Sequence, residues 1–356
     1  MRLGLNLGYW GSGTDAENLE LAREADRLGY AVVWVAEAYG SDAPTVLAWV
    51  AAQTSRVDVG SAIMQIPART PAMTAMTAAT LDTLSQGRFR LGLGVSGPQV
   101  SEGWHGVRFD APLARTREYV DVVRLALSRQ PVAYAGQHHV LPLPDGPGKA
   151  LRLTVVPVRE RLPLYLASLG PKNLELTGEV ADGWLGLFVS AEHVGASLER
   201  LRAGRARAGV DGLDGFDVCA TLPLVVTPDG PEEQVVAAAA EPVKAYAALY
   251  VGGMGSRQQN FYHALARRMG YEEAADQVQD AYLDRRPRDA AAAVPTEFVD
   301  RTSLLGPVPR IAGRMQALAD AGVTTLTVTP FAPDLAGRVA MLRQAAEALE
   351  ASGRAA

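Results

Sequence analysis

One short segment has the residue types and spacing of a nucleotide-binding motif. GLGVSG, beginning at Gly92, follows an apolar strand-like stretch and matches the pattern G-x-G-x-x-G, which in dinucleotide-binding folds places a pyrophosphate at a helix N-terminus. Here the match is weak, because the segment follows the fourth strand-like stretch and Pro98 is expected to lead into a loop. We expect instead that glycines at the end of a strand let the backbone approach a ligand closely.

Two further positions carry groups that can move a proton. Glu37 comes directly after the apolar run VVWVA, where a core has no use for a carboxylate. His105 follows Trp104 in the segment SEGWHG, and this tryptophan is a candidate for lining a substrate pocket. Either residue can serve as a general acid if it faces a substrate. The alternatives are a helix-capping acid for Glu37 and an incidental surface histidine for His105.

The segment ASLGP offers a place for an anion. Ser168 and Gly170 end a strand-like stretch and precede a helical pattern, and the free N–H groups of a helix N-terminus attract phosphate. A plain helix cap is the alternative. No metal site is expected: His138 and His139 are adjacent in a predicted hairpin and therefore point to opposite faces, and no pair of histidines has the usual ligand spacing.

The composition narrows the class of partner. The chain has 356 residues, of which 48% are hydrophobic, and a formal net charge of −5. No cluster of basic residues supports nucleic-acid binding. No apolar run reaches the roughly 18 residues of a membrane helix, and no secretory signal is visible. We therefore expect a cytoplasmic protein that acts on a small molecule.

Strand-like and helical stretches alternate along the whole chain. Strands apolar on both faces, each followed by a helical pattern, predict a parallel sheet covered by helices. Eight such strands favour an α/β fold of the (β/α)8 TIM-barrel type over an open doubly wound sheet, with residues 1–356 as a single domain. Two interruptions are expected: a short β-hairpin within 131–156, and a mostly helical insertion without a clear strand at 231–305. The insertion is expected to cover the substrate pocket.

Three segments together resemble a known family. TAATLDTLSQGRFRLGLG, from Thr77, is similar to the LDxLSxGRxxLGxG segment of the luciferase-like monooxygenase superfamily. SAIMQIPARTPAMTAM before it, and YVGGMGSRQQNFYHALARRMGY from Tyr250, resemble the branch of oxidoreductases that use coenzyme F420, a deazaflavin, such as methylenetetrahydromethanopterin reductase. The resemblance extends over essentially the whole chain, and residues 57–106 are its most specific part.

The resemblance implies where a cofactor would bind. Members of this family hold the deazaflavin at the carboxyl end of the barrel, on a bulge of the third strand that contains a non-prolyl cis peptide bond. In this sequence the matching bond is Ala62–Ile63. The matching cofactor contacts are Glu37 after the second strand, then Ser96, Gly97 and Ser101, and finally Ser168 and Gly170.

The resemblance also implies an activity. We expect an F420-dependent oxidoreductase that transfers hydride between the deazaflavin and a small organic substrate, with Glu37 and then His105 as candidate proton donors. Many relatives carry Asp-His where this chain has Glu37-Ala38, which favours reduction of a C=C or C=N bond over alcohol oxidation. Tyr9 and Trp10, with Trp104, are expected at the substrate pocket. A homodimer is expected from family habit.

Two alternatives stay open at this stage. The first is an FMN-dependent luciferase-like monooxygenase, which would need dioxygen and a flavin reductase as partner. The second is a non-catalytic barrel that binds no flavin. Binding of F420 and FMN would distinguish them.

Overall fold

The strands close into a barrel. The computed structural model describes residues 1–10 and 15–356, and within them eight parallel strand positions form a closed ring in the order β1, β2, β3/β4, β5, β8, β9, β10, β12. The bounds are β1 Arg2–Asn6, β2 Val32–Val35, β3 Asp58–Ser61, β4 Met64–Gln65, β5 Phe89–Gly94, β8 Leu164–Ala167, β9 Gly183–Leu187, β10 Asp217–Val226 and β12 Thr325–Pro330.

Helices surround this ring. Apart from the insertion, they are α1 Asp15–Leu28, α2 Ala43–Ala52, α3 Pro71–Leu84, α4 Pro98–Gly103, α5 Pro112–Leu127, α6 Pro171–Val180, α7 Val194–Arg207, α13 Val308–Asp320 and α14 Leu335–Ala351. The strands are buried on both faces, as β2 and β5 illustrate, since every residue of each is buried. This explains why the strands read as continuous apolar runs, and it confirms the predicted (β/α)8 barrel.

The two interruptions are present. Strands β6 (Tyr134–Ala135) and β7 (Val140–Leu141) pair in an antiparallel hairpin. The insertion contains α8 Glu232–Ala248, a π-helical turn Leu249–Gly253, α9 Phe261–Arg268, α10 Glu272–Leu283, α11 Pro287–Ala292 and α12 Thr296–Arg301. No helix of the described residues is long and apolar enough to cross a membrane.

The structure differs from the sequence expectation at two places. Strand β11 (Leu304–Gly306) begins at the end of segment 231–305, which was expected to hold no clear strand, and it pairs with the end of β10. Three residues are too few to produce a visible periodicity. Helix α4 begins at Pro98, where a loop was expected. Proline suits the first position of a helix, because its fixed φ is helical and its missing N–H has no partner there.

The amino end of the barrel is held by a partly buried ionic network. Arg90 donates to Asp58 at 2.7 Å and to Asp217 at 3.2 Å, and Asp217 also pairs with Arg2 at 3.1 Å. Tyr165 donates its hydroxyl proton to Asp217 at 3.0 Å. Since this end lies opposite the carboxyl ends of the strands, we assign the network to stability.

The network predicts an acid-sensitive fold. Burial alone would raise the pKa of Asp217, but the charge of Arg2 and a hydrogen bond from Thr324 outweigh it, so this pKa lies below its usual range. Such a carboxylate stabilises the fold above the unfolded pKa of about 3.9, and its contribution is lost as the pH falls through the folded pKa. In denaturant titrations from about pH 7 down to about pH 3, the free energy of unfolding should fall less for Asp217→Asn than for the wild type. The exposed Asp320→Asn is the control; equal slopes for Asp217→Asn and wild type would contradict the assignment.

Candidate functional site

The third strand is interrupted at the carboxyl end of the barrel. Its first part pairs with β5 through Val59 and Gly60, and its second part pairs with β5 again from Met64. Ala62 and Ile63 between them lie outside this ladder, keep partly exposed side chains, and are joined by a cis peptide bond. The chain therefore forms a bulge at the carboxyl end of the barrel, where both side chains pack against the small cluster that contains Trp34 and Leu185.

Strand β5 packs tightly against this bulge. Ser61 donates its hydroxyl proton to the carbonyl of Gly92 at 2.8 Å and accepts the Gly92 N–H at 2.9 Å. A Cβ at Gly92 would lie 1.9 Å from the Ser61 carbonyl oxygen, and one at Gly94 would lie 2.9 Å from Cγ1 of Ile63. A Cβ at Gly97 would meet nothing within 4 Å. The first two glycines are thus required because β5 approaches the bulge of the protein itself. The sequence analysis expected these glycines to allow the close approach of a ligand.

Glu37 is part of a buried ion pair at the end of β2. Arg69 donates to both of its carboxylate oxygens, at 2.6 and 2.8 Å, and the backbone N–H groups of Ala43 and Gln65 donate to them at 3.1 and 3.2 Å. Arg69 also contacts Asp42. Every oxygen of Glu37 is therefore engaged by donors, which leaves this carboxylate well placed to fix the loops and poorly placed to hold a proton for a substrate.

Gln65 connects this ion pair to His105. Its side-chain oxygen lies 2.7 Å from Nε2 of His105, and its amide nitrogen donates weakly to the Glu37 carbonyl and to the Ser96 hydroxyl, both at 3.4 Å. Because the amide oxygen is an acceptor, Nε2 of His105 carries the proton in this arrangement. His105, which the sequence placed in a loop of unknown direction, is thereby held at the carboxyl end of β4.

The residues after β5 form the neighbouring part of the rim. Ser96 adopts a positive φ of 59°, and Gly97 precedes α4 without a side-chain cap. Ser101 is buried and donates its hydroxyl proton to the Val107 carbonyl at 2.7 Å. Gly97 and the hydroxyl proton of Ser96 thus remain open to a ligand, although the Ser96 oxygen accepts from Gln65. The hydroxyl proton of Ser101 is already committed.

The loop between β8 and α6 has a free helix N-terminus beside a free cation. Gly170 precedes α6, and no side chain caps the helix. The Ser168 side chain is buried and hydrogen-bonded to Thr177 at 2.8 Å, so only the backbone of Ser168 can contact an anion. Arg268 of α9 donates to the Leu169 carbonyl at 3.0 Å and has no carboxylate partner among the described residues. Burial lowers the pKa of Arg268. Sequence reasoning missed Arg268, because it is distant in the chain.

The three aromatic residues expected at the substrate pocket have different environments. Tyr9 is partly exposed, and its hydroxyl interacts with that of Tyr250. Trp10 is only 6% exposed and packs edge-on against Trp49 of α2, with ring centroids 5.6 Å apart. Trp104 is 66% exposed. Of the three, only Tyr9 joins other groups of the rim.

A cluster of aromatic rings, which the sequence analysis did not single out, lies next to Tyr9. Phe188 directly follows β9 and packs against three tyrosines of the insertion, with centroid distances of 5.6 to 6.0 Å. These are Tyr246, Tyr250 and Tyr262. Two of them lie in the segment starting at Tyr250 that carried the family resemblance. The sequence therefore contained these tyrosines in a recognisable motif, but it did not indicate that they pack together.

Two further kinds of site, a metal site and a reactive cysteine, were considered in the described residues. Among residues 1–10 and 15–356, no group of histidine, cysteine and acidic side chains is arranged to hold a metal ion. Cys219 is fully buried in β10, and burial raises the pKa of its thiol to about 12. A thiol of this kind is unreactive.

Comparison with known proteins identifies the family. The model of the luciferase-like monooxygenase family matches residues 7–325, and the chain belongs to this family. A Mycobacterium tuberculosis (strain H37Rv) protein with the provisional name coenzyme F420-dependent oxidoreductase is 45% identical, covering 92% of this chain and 95% of its own. The 5,10-methylenetetrahydromethanopterin reductase of Archaeoglobus fulgidus is 26% identical, covering 87% of this chain and 88% of its own.

A solved structure has the same fold. The coenzyme F420-dependent tetrahydromethanopterin reductase of Methanopyrus kandleri superimposes with a TM-score of 0.79 at 24% identity, and the match covers 96% of each chain.

Proposed function

We propose that this protein is an F420-dependent oxidoreductase acting on a small organic substrate. The observation that carries the proposal is the bulge at Ala62–Ile63, held by Ser61 and Gly92 and bordered by polar groups at the ends of β2, β5 and β8. The similarity of 92% of the chain to a relative named for F420 supports the choice of cofactor.

The residues present fit a deazaflavin with a phosphate in its side chain. Ala62 and Ile63 offer a partly exposed surface on which a flat ring can rest. Ser96 and Gly97 offer a hydroxyl and an open backbone beside it. The N-terminus of α6 at Gly170, together with Arg268, suits the phosphate. When bound, F420 supplies the hydride carrier.

The contacts favour different roles for the two candidate proton donors. His105 is our candidate donor, since Gln65 fixes its ring through Nε2 and the ring remains partly accessible. The proton for a substrate would come from Nδ1 of the doubly protonated ring. Glu37 is assigned to positioning, because its carboxylate is occupied by Arg69 and two backbone N–H groups. With alanine at position 38 in place of a histidine, we keep reduction of a C=C or C=N bond as the proposed reaction.

Arg268 provides a test of this assignment. Arg268→Ala should weaken F420 binding about ten- to a hundredfold, as expected for losing a charge-assisted hydrogen bond to phosphate. The phosphate-free chromophore of F420, 8-hydroxy-5-deazariboflavin, should bind both proteins equally. Fluorescence titration measures both affinities.

The neighbouring Arg267 is a matched control. It pairs with Asp276 at 2.7 Å, so Arg267→Ala should leave F420 affinity unchanged. Equal loss of both ligands in Arg268→Ala would show that Arg268 acts on the fold and not on the phosphate.

We also propose a homodimer. Three large apolar side chains of α2 and α3 are about half exposed: Trp49, Met73 and Met76. Large exposed apolar side chains on two neighbouring helices mark a candidate interface. Sedimentation of the wild type and of Met76→Glu tests it, with a shift toward monomer expected for the variant.

A further inference from the structure

The rim of the barrel has two chemically different halves. The ends of β2, β3, β5 and β8, which are consecutive in the ring, carry the polar groups and the bulge described above. The ends of β9, β12 and β1 lie on the other side of the ring and carry Phe188, Phe331 and Tyr9. A ligand at the mouth therefore has polar groups on one side and aromatic rings on the other.

The insertion completes the aromatic half. Tyr246 of α8 and Tyr250 of the π-helical turn lie 4.8 Å apart between ring centroids, and Tyr250 and Tyr262 of α9 lie at the same distance. Tyr246 also packs against Phe331 at 5.5 Å. These separations lie within the range in which aromatic rings attract one another. We call Tyr246, Tyr250 and Tyr262 the tyrosine wall.

The rings of the tyrosine wall are partly exposed, whereas the phenylalanine that packs against them is buried. Phe188 behind it is only 3% exposed, whereas all three tyrosines keep accessible surface. Burial raises the pKa of each of their hydroxyls, so all three are neutral at physiological pH. The wall is therefore aromatic and uncharged, and its rings are tilted to one another by 52° between Tyr246 and Tyr250 and by 83° between Tyr250 and Tyr262.

Three polar side chains near the wall are paired with acidic residues, and Arg268 of α9 reaches the Leu169 carbonyl on the polar half of the rim. Lys244 of α8 pairs with Glu241 at 2.9 Å, and His263 of α9 pairs with Asp276 at 2.8 Å. Arg257, between the π-helical turn and α9, pairs with Asp280. None of these three side chains is free to pair with a charged ligand at the wall.

Tyr250 is held in place by its backbone. Asn260 donates its side-chain amide to the carbonyls of Tyr250 and Val251, at 3.1 and 2.8 Å. Gly252 packs so closely against Tyr282 that a Cβ would lie 2.5 Å from that side chain. Such π-helical turns occur frequently at functional sites, and a ring fixed before binding loses little entropy on binding.

We propose that the tyrosine wall binds a flat, uncharged aromatic or conjugated ring of the substrate, across the mouth from the Ala62–Ile63 bulge. This inference rests on the proposed function for the position of the cofactor, but the preference of the wall for flat ligands does not depend on it.

The test compares two ketones with the same number of carbon atoms. (E)-4-phenyl-3-buten-2-one is flat and aryl-substituted, and (E)-3-decen-2-one carries a flexible alkyl chain with more apolar surface. Calorimetric titration of the wild-type protein, with and without F420, should show about tenfold tighter binding of the aryl ketone. Burial of apolar surface alone would give the opposite order.

Substitutions distinguish the contribution of the tyrosine rings to binding from that of their hydroxyl groups. Tyr250→Phe should keep the aryl preference, whereas Tyr250→Leu and Tyr262→Leu should reduce it to about twofold or less. Tyr134→Leu, in the β6–β7 hairpin, should leave it intact. Thermal unfolding confirms that each variant is folded.

The binding of F420 and the binding of the aryl ketone are tested independently. If F420 does not bind but the aryl preference is present and depends on Tyr250, the proposed function is wrong and the tyrosine wall is retained. If F420 binds but neither ketone does, or if the alkyl ketone binds as tightly as the aryl ketone, the inference is overturned. Persistence of the full preference in both leucine variants would also overturn it.

Discussion

Glu37→Gln is expected to lower the free energy of unfolding by about 3–5 kcal/mol, the cost of breaking a buried ion pair by removing one partner. Arg69 has a side chain only 15% exposed, and it would face the amide group of the new glutamine. The N–H groups of Ala43 and Gln65 would compete for the one remaining oxygen. Because Gln65 also holds His105, the variant should bind F420 more weakly as well. Denaturant unfolding and fluorescence titration measure the two effects.

Asp42→Asn is the matched control for the same arginine. Asp42 also contacts Arg69, but its side chain is 49% exposed, and exposed ion pairs contribute about 0–1 kcal/mol. Asparagine preserves the N-cap that Asp42 gives α2. Equal losses of stability in the two variants would contradict the central position that we assign to Glu37.

Gly92→Ala is expected to have the second large effect. Its Cβ would lie 1.9 Å from the Ser61 carbonyl oxygen and 2.8 Å from Leu185, so either β5 or the bulge must move. Overpacking of this kind costs about 1–3 kcal/mol or more. Since the Ala62–Ile63 bulge is the proposed support for the cofactor, F420 affinity should fall together with the melting temperature.

Gly97→Ala distinguishes this explanation from a nucleotide motif. Gly97 has an ordinary φ of −118° and open space at its Cβ position, so the variant should be as stable as the wild type. In a true G-x-G-x-x-G site the third glycine would also be required, for close helix–strand packing. A destabilisation of Gly97→Ala similar to that of Gly92→Ala would contradict our interpretation.

The barrel was predictable because burial on both faces leaves a direct trace in the sequence. Val32–Val35 is apolar throughout and is buried throughout. β11 leaves no such trace, because Leu304–Gly306 is short and its pairing with β10 is decided by tertiary packing. Proline at position 98 was interpreted as a loop signal, although the same residue is favoured at the first position of a helix.

The candidate site was predictable only in part. Strand ends indicate which residues reach the rim, and Glu37 and His105 both lie there. Their partners come from other segments: Arg69 lies 32 residues after Glu37 and Gln65 lies 40 residues before His105, and no local pattern links such pairs. The tyrosine wall is assembled by the insertion, whose arrangement over the barrel depends on long-range packing.

Equilibrium titration of the wild-type protein with F420 and with FMN tests the central claim most directly. Fluorescence of each chromophore reports its binding. We predict saturable binding of one F420 per chain, with FMN weaker, and a weaker F420 interaction in Gly92→Ala but not in Gly97→Ala. Tight binding of FMN with weak F420 binding would favour a flavin monooxygenase, and absence of binding by either cofactor would contradict the proposed function.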